Sequence, residues 1–224
     1  KSERISETLI SIAKKMSIDT GSAKTVAKLC FCDLLTKMVS EFPNLQGTMG
    51  YYYAKADGEN DDLALALEEL YQPRFAGDKL PKTLLGQCLS ISEKINSLIG
   101  IFSIGKAPTG DKDPFALRRS AIGLLRIIIE CKIDIDLKDL LSTAASNFTN
   151  KNQTSNCIND VYTFLMERLR YYYRDEGFGA DVFESVLAVN TNKPLDFHHR
   201  IVAVAEFKKL DEAKSLAAAN KRII

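Results

Sequence analysis

The stretch at residues 100–130, GIFSIGKAPTGDKDPFALRRSAIGLLRIIIE, predicts a loop that runs directly into a buried helix. Asp113 is a good N-cap, and Pro114 suits the first helical position, where no amide hydrogen is needed. Between residues 115 and 129 only three arginines, one serine and one glycine interrupt the apolar residues. A helix that is apolar over most of its circumference belongs in a core, so arginines within it need a particular environment.

Helical spacing places these three arginines on two different stripes of the helix. Arg118 lies above apolar residues three to four positions apart, which predicts a mainly structural arginine whose head binds a carboxylate. Arg119, Arg126 and Glu130 share the other stripe. There Arg126 can pair with Glu130, and Arg119 is predicted to be exposed near the start of the helix.

The loop before this helix adds two further cations, Lys106 and Lys112. The positive end of the helix dipole and these cations together suit a phosphate group. A second loop carries Arg74, Lys79 and Lys82. Two interpretations stay open: a phosphate-binding surface, or a loop that only caps the helix while the arginines bind nearby carboxylates.

Composition restricts the class of protein. The chain has 224 residues, 46% hydrophobic and 26% charged, which is ordinary for a soluble globular protein. Its net charge of +1 gives no overall attraction to nucleic acid, so RNA binding requires a local patch. Five cysteines without metal-ligand spacing indicate reduced thiols in a cytosolic protein, and no membrane span or signal peptide is visible. The chain starts without methionine and ends within a helical pattern, so we expect a piece of a longer protein.

The rest of the chain predicts helices throughout. One helix is predicted from residue 22 to about residue 42, with Leu34 and Met38 facing inward. Thr83 and Asp136 begin two further helices, and polar residues 149–155 predict an exposed connector. No strand is visible, and the predicted fold class is all-α.

Four segments together resemble the β subunit of bacterial tetrameric glycyl-tRNA synthetase. They are GIFSIGKAPTGDKDPFALRR at residues 100–119, EFPNLQGTMG at residues 41–50, YQPRFAGD at residues 71–78 and AAANKR at residues 217–222. The resemblance covers nearly the whole chain from about Lys24 onward. Several long matches in the expected order are far more specific than one short motif.

The resemblance implies an HD-domain-like helical bundle with additional C-terminal helices. It implies an N-terminal helix of the domain at residues 1–22 and a degenerate HD-like core at residues 23–150. A C-terminal helical extension at residues 151–224 would lead towards an anticodon-binding domain that this chain does not include. The implied function is non-catalytic: the domain supports binding of glycine tRNA and assembly with the catalytic α subunit.

The resemblance also indicates where the chemistry takes place. The family places amino-acid activation, with its ATP and Mg²⁺, on the α subunit of a cytoplasmic holoenzyme with two α and two β chains. This chain is then part of a ligase without a catalytic or metal site or a cofactor of its own, and it binds neither DNA nor a membrane.

An HD-type metal phosphohydrolase is a remote alternative. Such a site needs convergent histidine and aspartate ligands, but the sequence has Ala56 next to Asp57, and its two histidines, His198 and His199, are far downstream. No phosphate-binding P-loop and no nucleophile with a suitably spaced histidine is present. The sequence therefore disfavours catalysis.

Two functional interpretations remain: an RNA-contacting domain, and a purely structural or subunit-contact scaffold. The candidate phosphate contacts are Lys106, Lys112, Arg119, Arg126, Arg74, Lys79 and Lys82, and the residues with predicted structural roles are Arg118, Asp113 and Pro114. Exposure of several of these cations on one face would favour RNA contact.

Overall fold

The computed structural model describes residues 1–213, with Lys151 and Asn152 described by their backbone alone. These residues form α-helices and short 3₁₀ turns without any strand, which confirms the all-α class. The α-helices are α1 (Ser2–Lys15), α2 (Thr20–Leu29), α3 (Lys37–Glu41), α4 (Thr48–Ala56), α5 (Asp61–Glu69), α6 (Leu84–Ser103), α7 (Leu117–Glu130), α8 (Leu137–Ser146), α9 (Lys151–Asn156), α10 (Ile158–Asp175), α11 (Ala180–Leu187) and α12 (Pro194–Phe207). The 3₁₀ turns are at Cys32–Leu35 and Pro43–Leu45.

Helix α6 is the centre of the core. Its N-cap is Thr83, whose hydroxyl accepts a hydrogen bond from the Gly86 amide at 3.0 Å. Helices α1, α5, α7, α8 and α10 all pack against α6, which explains why it is apolar around most of its circumference. The buried Ser90 hydroxyl of this helix donates to the Gln72 carbonyl at 2.7 Å, and the buried Asn96 amide donates to the Thr8 hydroxyl at 2.9 Å.

Helix α7 packs against α6, α10 and α12, but it begins later than Asp113 and Pro114 predict. The Ala116 amide donates to the Asp113 carbonyl, and Ala116 adopts a left-handed conformation with φ of 52°. A helix cannot continue through a left-handed residue, so α7 begins at Leu117. Asp113 still caps the helix from outside, because its carboxylate accepts from the amides of Leu117 and Arg118 at 2.8 and 2.9 Å.

The single helix predicted for residues 22–42 is wrong, because the chain turns twice in this segment. The buried carboxylate of Asp33 accepts a hydrogen bond from the Gly47 amide at 2.7 Å and holds Cys32–Leu35 in a 3₁₀ turn. The Thr36 hydroxyl then caps α3. The change of direction leaves Leu34 and Met38 exposed rather than buried.

The predicted connector at residues 149–155 is also not a loop, because α9 occupies most of it. Thr154 explains the difference. Its side chain is buried and its hydroxyl donates to the Ala145 carbonyl at 3.1 Å, which anchors α9 to α8.

Residues 217–222 and most of the helix predicted after Asp211 lie outside the described residues. None of the helices in residues 1–213 combines the length and the hydropathy that crossing a bilayer requires.

Candidate functional site

A narrow cleft lies between helix α7 and the loop at residues 72–78, and we refer to it as the arginine slot. Its volume is about 210 Å³. The slot is lined by Pro73, Phe75 and Ala76 from the loop and by Arg118, Arg119, Ile122, Gly123 and Arg126 from α7. Arginine therefore supplies every polar side chain at the slot, and the remaining lining atoms are apolar side chains and backbone.

The floor of the slot is fixed by groups on α6. The Gln72 carbonyl accepts hydrogen bonds from the Ser90 hydroxyl at 2.7 Å and from Lys94 Nζ at 2.9 Å. Burial lowers the pKa of Lys94 from 10.5 to about 8. A Cβ atom at Gly123 would lie 3.1 Å from both Pro73 Cγ and Lys94 Cε, so glycine permits the close contact between α7 and this loop.

The loop is closed on itself and held by the arginines of α7. The Asp78 carboxylate accepts from the Arg74 amide at 2.7 Å. Arg119 Nη1 donates to the Arg74 carbonyl at 3.3 Å, and Arg126 Nη1 donates to the Asp78 carbonyl at 3.2 Å. Both arginines thus contact backbone oxygens at opposite ends of the same loop.

Three arginines around the slot have no carboxylate within ion-pair distance among the described residues: Arg74, Arg118 and Arg119. Arg74 donates to the Gln46 carbonyl at 2.6 Å, and Arg118 donates to the Gly110 carbonyl. A carbonyl oxygen satisfies a donor but leaves the charge in place. Among the described residues, Arg118 and Arg119 at the slot and Arg74 on its loop therefore have no direct ion-pair partner, and the nearby Asp113 and Asp78 carboxylates bind the Arg118 and Arg74 amides instead.

The fourth arginine differs. Arg126 Nε lies 2.7 Å from Glu130 Oε1, and this hydrogen bond raises the pKa of Arg126. The predicted Arg126–Glu130 pair is confirmed, and Arg119 is exposed as its stripe predicts. The carboxylate partner predicted for Arg118 is wrong, because its partner is the backbone of the preceding loop.

The structure separates the predicted cations into two groups. Arg119 and Arg126 line the slot, Arg74 lies on its loop, and none of the four lysines lines it. Lys106 and Lys112 are exposed in the segment that Arg118 and Asp113 fasten to the start of α7. Lys79 Nζ lies 3.9 Å from Glu68 Oε1, and Lys82 is exposed just before α6.

Sequence reasoning missed Phe75, whose side chain is 60% exposed at the slot. Its signal is an aromatic residue in a loop without apolar periodicity, between a proline and a glycine. Sequence reasoning also missed Glu69, whose buried carboxylate accepts from the Lys82 amide at 2.7 Å and positions the end of this loop.

Hydrolytic chemistry finds no support in the described residues. Asp57 lines a cleft of about 300 Å³ with Cys32 and Glu59, but no three His, Cys, Asp or Glu side chains there or elsewhere in residues 1–213 could hold a metal ion. His198 is half-buried and stacked on Tyr173, and burial lowers its pKa. It therefore has a packing role.

A second exposed surface is apolar, and we refer to it as the α3 stripe. It consists of Leu34, Leu35, Met38 and Phe42. Leu35 is 88% exposed, and Phe42 is 55% exposed. Exposed apolar residues that cluster along one short segment are typical of protein contacts.

Comparison with known proteins gives consistent similarities. A family model described as the glycyl-tRNA synthetase beta subunit matches residues 1–188. The chain is 47% identical to the glycine–tRNA ligase beta subunit of Haemophilus influenzae (strain PittEE), 48% to that of Glaesserella parasuis and 50% to that of Colwellia psychrerythraea, each over 223 residues. These alignments cover 100% of the chain but 32% of each relative, so the chain spans about a third of the length of these relatives.

Proposed function

Because this chain belongs to the glycyl-tRNA synthetase β-subunit family, we propose that it is a non-catalytic helical domain through which a glycine–tRNA ligase holds its tRNA. The ligase attaches glycine to tRNA with ATP and Mg²⁺ on a separate α subunit, in a cytoplasmic assembly of two α and two β chains. This domain uses no cofactor of its own. An HD-like origin of the bundle is part of the same proposal.

The observation that carries this proposal is that Arg74, Arg118 and Arg119 have no carboxylate within ion-pair distance among the described residues. Phosphate contacts from arginine hold RNA in position without reading its sequence. A chain with a net charge of +1 has little general attraction to RNA. Arg118 and Arg119 at the slot, together with Arg74 on the adjoining loop, supply that attraction locally.

The test uses the full synthetase and changes Arg74, Arg118 and Arg119 together to glutamine. The apparent KM for tRNA should rise. The slope of the logarithm of the tRNA binding constant against the logarithm of the salt concentration should become shallower by about 0.7–0.9 for each phosphate contact that is lost. Glycine-dependent pyrophosphate exchange, which needs no tRNA, should be unchanged.

The matched control changes three arginines that do pair with carboxylates, Arg170, Arg174 and Arg200. The control enzyme should keep the KM of the unchanged enzyme. If both triple variants change the KM equally, or if only pyrophosphate exchange falls, the RNA-contact proposal is wrong.

A second candidate function is contact with another protein subunit, and the α3 stripe favours it. Changing Leu35 and Phe42 to serine should then weaken assembly of the β chain with the α subunit, as measured by sedimentation. Val189, which is 55% exposed outside the stripe, gives the control substitution. Undisturbed assembly in the Leu35 and Phe42 variant would exclude this role for the stripe.

A further inference from the structure

We propose that the arginine slot holds one unpaired nucleotide of RNA, with its base against Phe75 and its phosphates on the surrounding arginines. This inference rests on the proposed function and makes it more specific. The group that this surface binds would be a single-stranded nucleotide and not the backbone of an RNA duplex.

The size and lining of the slot favour a base over a phosphate alone. Ligand pockets for drug-sized molecules start at about 300 Å³, and a cleft of 210 Å³ is smaller than this. It admits one flat ring system. Pro73 and Ile122 give the slot apolar walls. The flat face of a base packs well against such walls, whereas a phosphate group gains nothing from them.

Phe75 provides the stacking surface. Its ring is 60% exposed, and its neighbours Ala76 and Gly77 have no side chain large enough to cover it. An aromatic ring at the edge of a cationic groove is the usual platform for an unstacked base, because every base has a π-face. The Phe75 ring resembles such platforms in two ways: it is exposed, and it lies beside positively charged side chains.

The arginines provide the phosphate contacts. Each guanidinium carries five N–H donors, and the structure uses one guanidinium hydrogen bond of Arg118 and one of Arg119. The other donors stay available for bidentate contact with phosphate. The two side chains come from adjacent positions at the start of α7, and both line the slot.

The lining also limits what the slot can recognise. Among the described residues, no amide, hydroxyl or carboxylate side chain lines the slot, so side-chain hydrogen bonds to a base edge can come from arginine donors alone. We therefore expect the slot to prefer unpaired over paired nucleotides and to show little preference among bases.

The test uses the assembled synthetase and a single-stranded RNA of about six nucleotides, a length within the range that single-strand binding sites cover. One RNA carries 5-iodouridine, which couples to a stacked aromatic ring on irradiation. A second RNA has the same phosphates but an abasic sugar at every position, so no base can enter the slot in any register. Mass spectrometry of the irradiated complex should find the coupled nucleotide on Phe75.

Two matched variants separate stacking from general binding. Phe75→Leu keeps an apolar side chain but removes the ring, and Phe115→Leu makes the same change at a 47% exposed phenylalanine outside the slot. The unchanged enzyme and Phe115→Leu should bind the intact RNA about 5- to 150-fold more tightly than the abasic RNA, the range that corresponds to stacking of one base. Phe75→Leu should reduce this ratio towards one.

The inference fails if no coupling to Phe75 occurs, or if Phe75→Leu keeps the full ratio. It also fails if Phe75→Leu releases the α subunit, since the slot would then be a protein contact. If the arginine triple variant raises the KM for tRNA while Phe75→Leu leaves the affinity ratio between intact and abasic RNA unchanged, the proposed function stands. The proposal of an unpaired nucleotide in the slot is then wrong. If neither variant affects RNA binding, both proposals are wrong.

Discussion

The chain has two arginine-rich regions that look alike in sequence and differ in structure. One is the arginine slot, and the other is the surface of α10 and α12. In the second region each arginine has a carboxylate within ion-pair distance: Arg168 with Glu167, Arg170 with Glu184, Arg174 with Asp175 and Arg200 with Asp196. At the slot, within the part of the chain that the structure describes, only Arg126 has one. Compensation by neighbouring carboxylates, rather than the number of arginines, distinguishes a candidate binding surface from an ordinary solvated one.

The buried cation beneath the slot gives the largest expected effect. Lys94 titrates near pH 8 when folded and near 10.5 when unfolded. Between these values the unfolded chain binds more protons, so stability rises with pH. We expect the free energy of unfolding to increase by about 3 kcal/mol relative to Lys94→Met between pH 7 and pH 11.

Urea unfolding of both chains at several pH values measures this difference, and the subtraction removes the titration of tyrosines and cysteines common to both. A constant difference between the two chains would show that Lys94 is not held as a desolvated cation.

Placing a carboxylate in the slot would make the two regions alike. Ala76→Glu adds one negative charge at an exposed residue that lines the slot, and Ala76→Gln adds nearly the same shape without charge. We expect Ala76→Glu to weaken tRNA binding at least about tenfold, which corresponds to about 1.4 kcal/mol. Filter binding compares the two variants, and equal affinities would mean that the charge of the slot does not contact tRNA.

Arg118 and Arg119 differ in how firmly they are held: Arg118 is half-buried, whereas Arg119 is exposed. Arg118→Ala removes a charged hydrogen bond to the Gly110 carbonyl and should cost about 1 kcal/mol of stability. Arg119→Ala changes an exposed side chain and should cost less than about 0.5 kcal/mol. Thermal unfolding measures both, and a larger loss for Arg119 would contradict this assignment.

Removing the carboxylate partner of Arg126 should have the opposite effect and increase the affinity of the slot for tRNA. Glu130→Gln leaves Arg126 without its carboxylate, so tRNA affinity should rise about two- to threefold, which is at most about 0.7 kcal/mol. Glu184→Gln releases Arg170 in the other region and should leave affinity unchanged. The same binding assay measures both, and a gain from Glu184→Gln would remove the distinction between the regions.

Local signals in the sequence predicted much of the fold. Thr83 and Asp136 do cap the helices that they were expected to begin, because their side chains accept hydrogen bonds from the amides three residues later. The same rule misplaced the start of α7, since nothing in the sequence indicates that Ala116, a non-glycine residue, adopts a positive φ. The buried Asp33 likewise breaks a helical period through its contact with Gly47, fourteen positions later.

The candidate site was harder to predict because its parts come from distant positions. Helical spacing identified the arginines of α7 and the Arg126–Glu130 pair, which depend on local geometry. The slot requires the loop that carries Phe75 to lie across α7, and Arg119 meets the Arg74 carbonyl 45 positions away. No periodic pattern contains that contact.

The way in which α7 holds its neighbouring loops has a consequence for how the protein tolerates mutation. Arg118, Arg119 and Arg126 each donate to a main-chain oxygen, of Gly110, Arg74 and Asp78 respectively. Every amino acid has a main-chain oxygen, so these three hydrogen bonds do not depend on the side chains of the loop residues that accept them. Side chains in the loops can therefore change, and with them the ligands that the slot binds, while the three hydrogen bonds from α7 to the loops are kept.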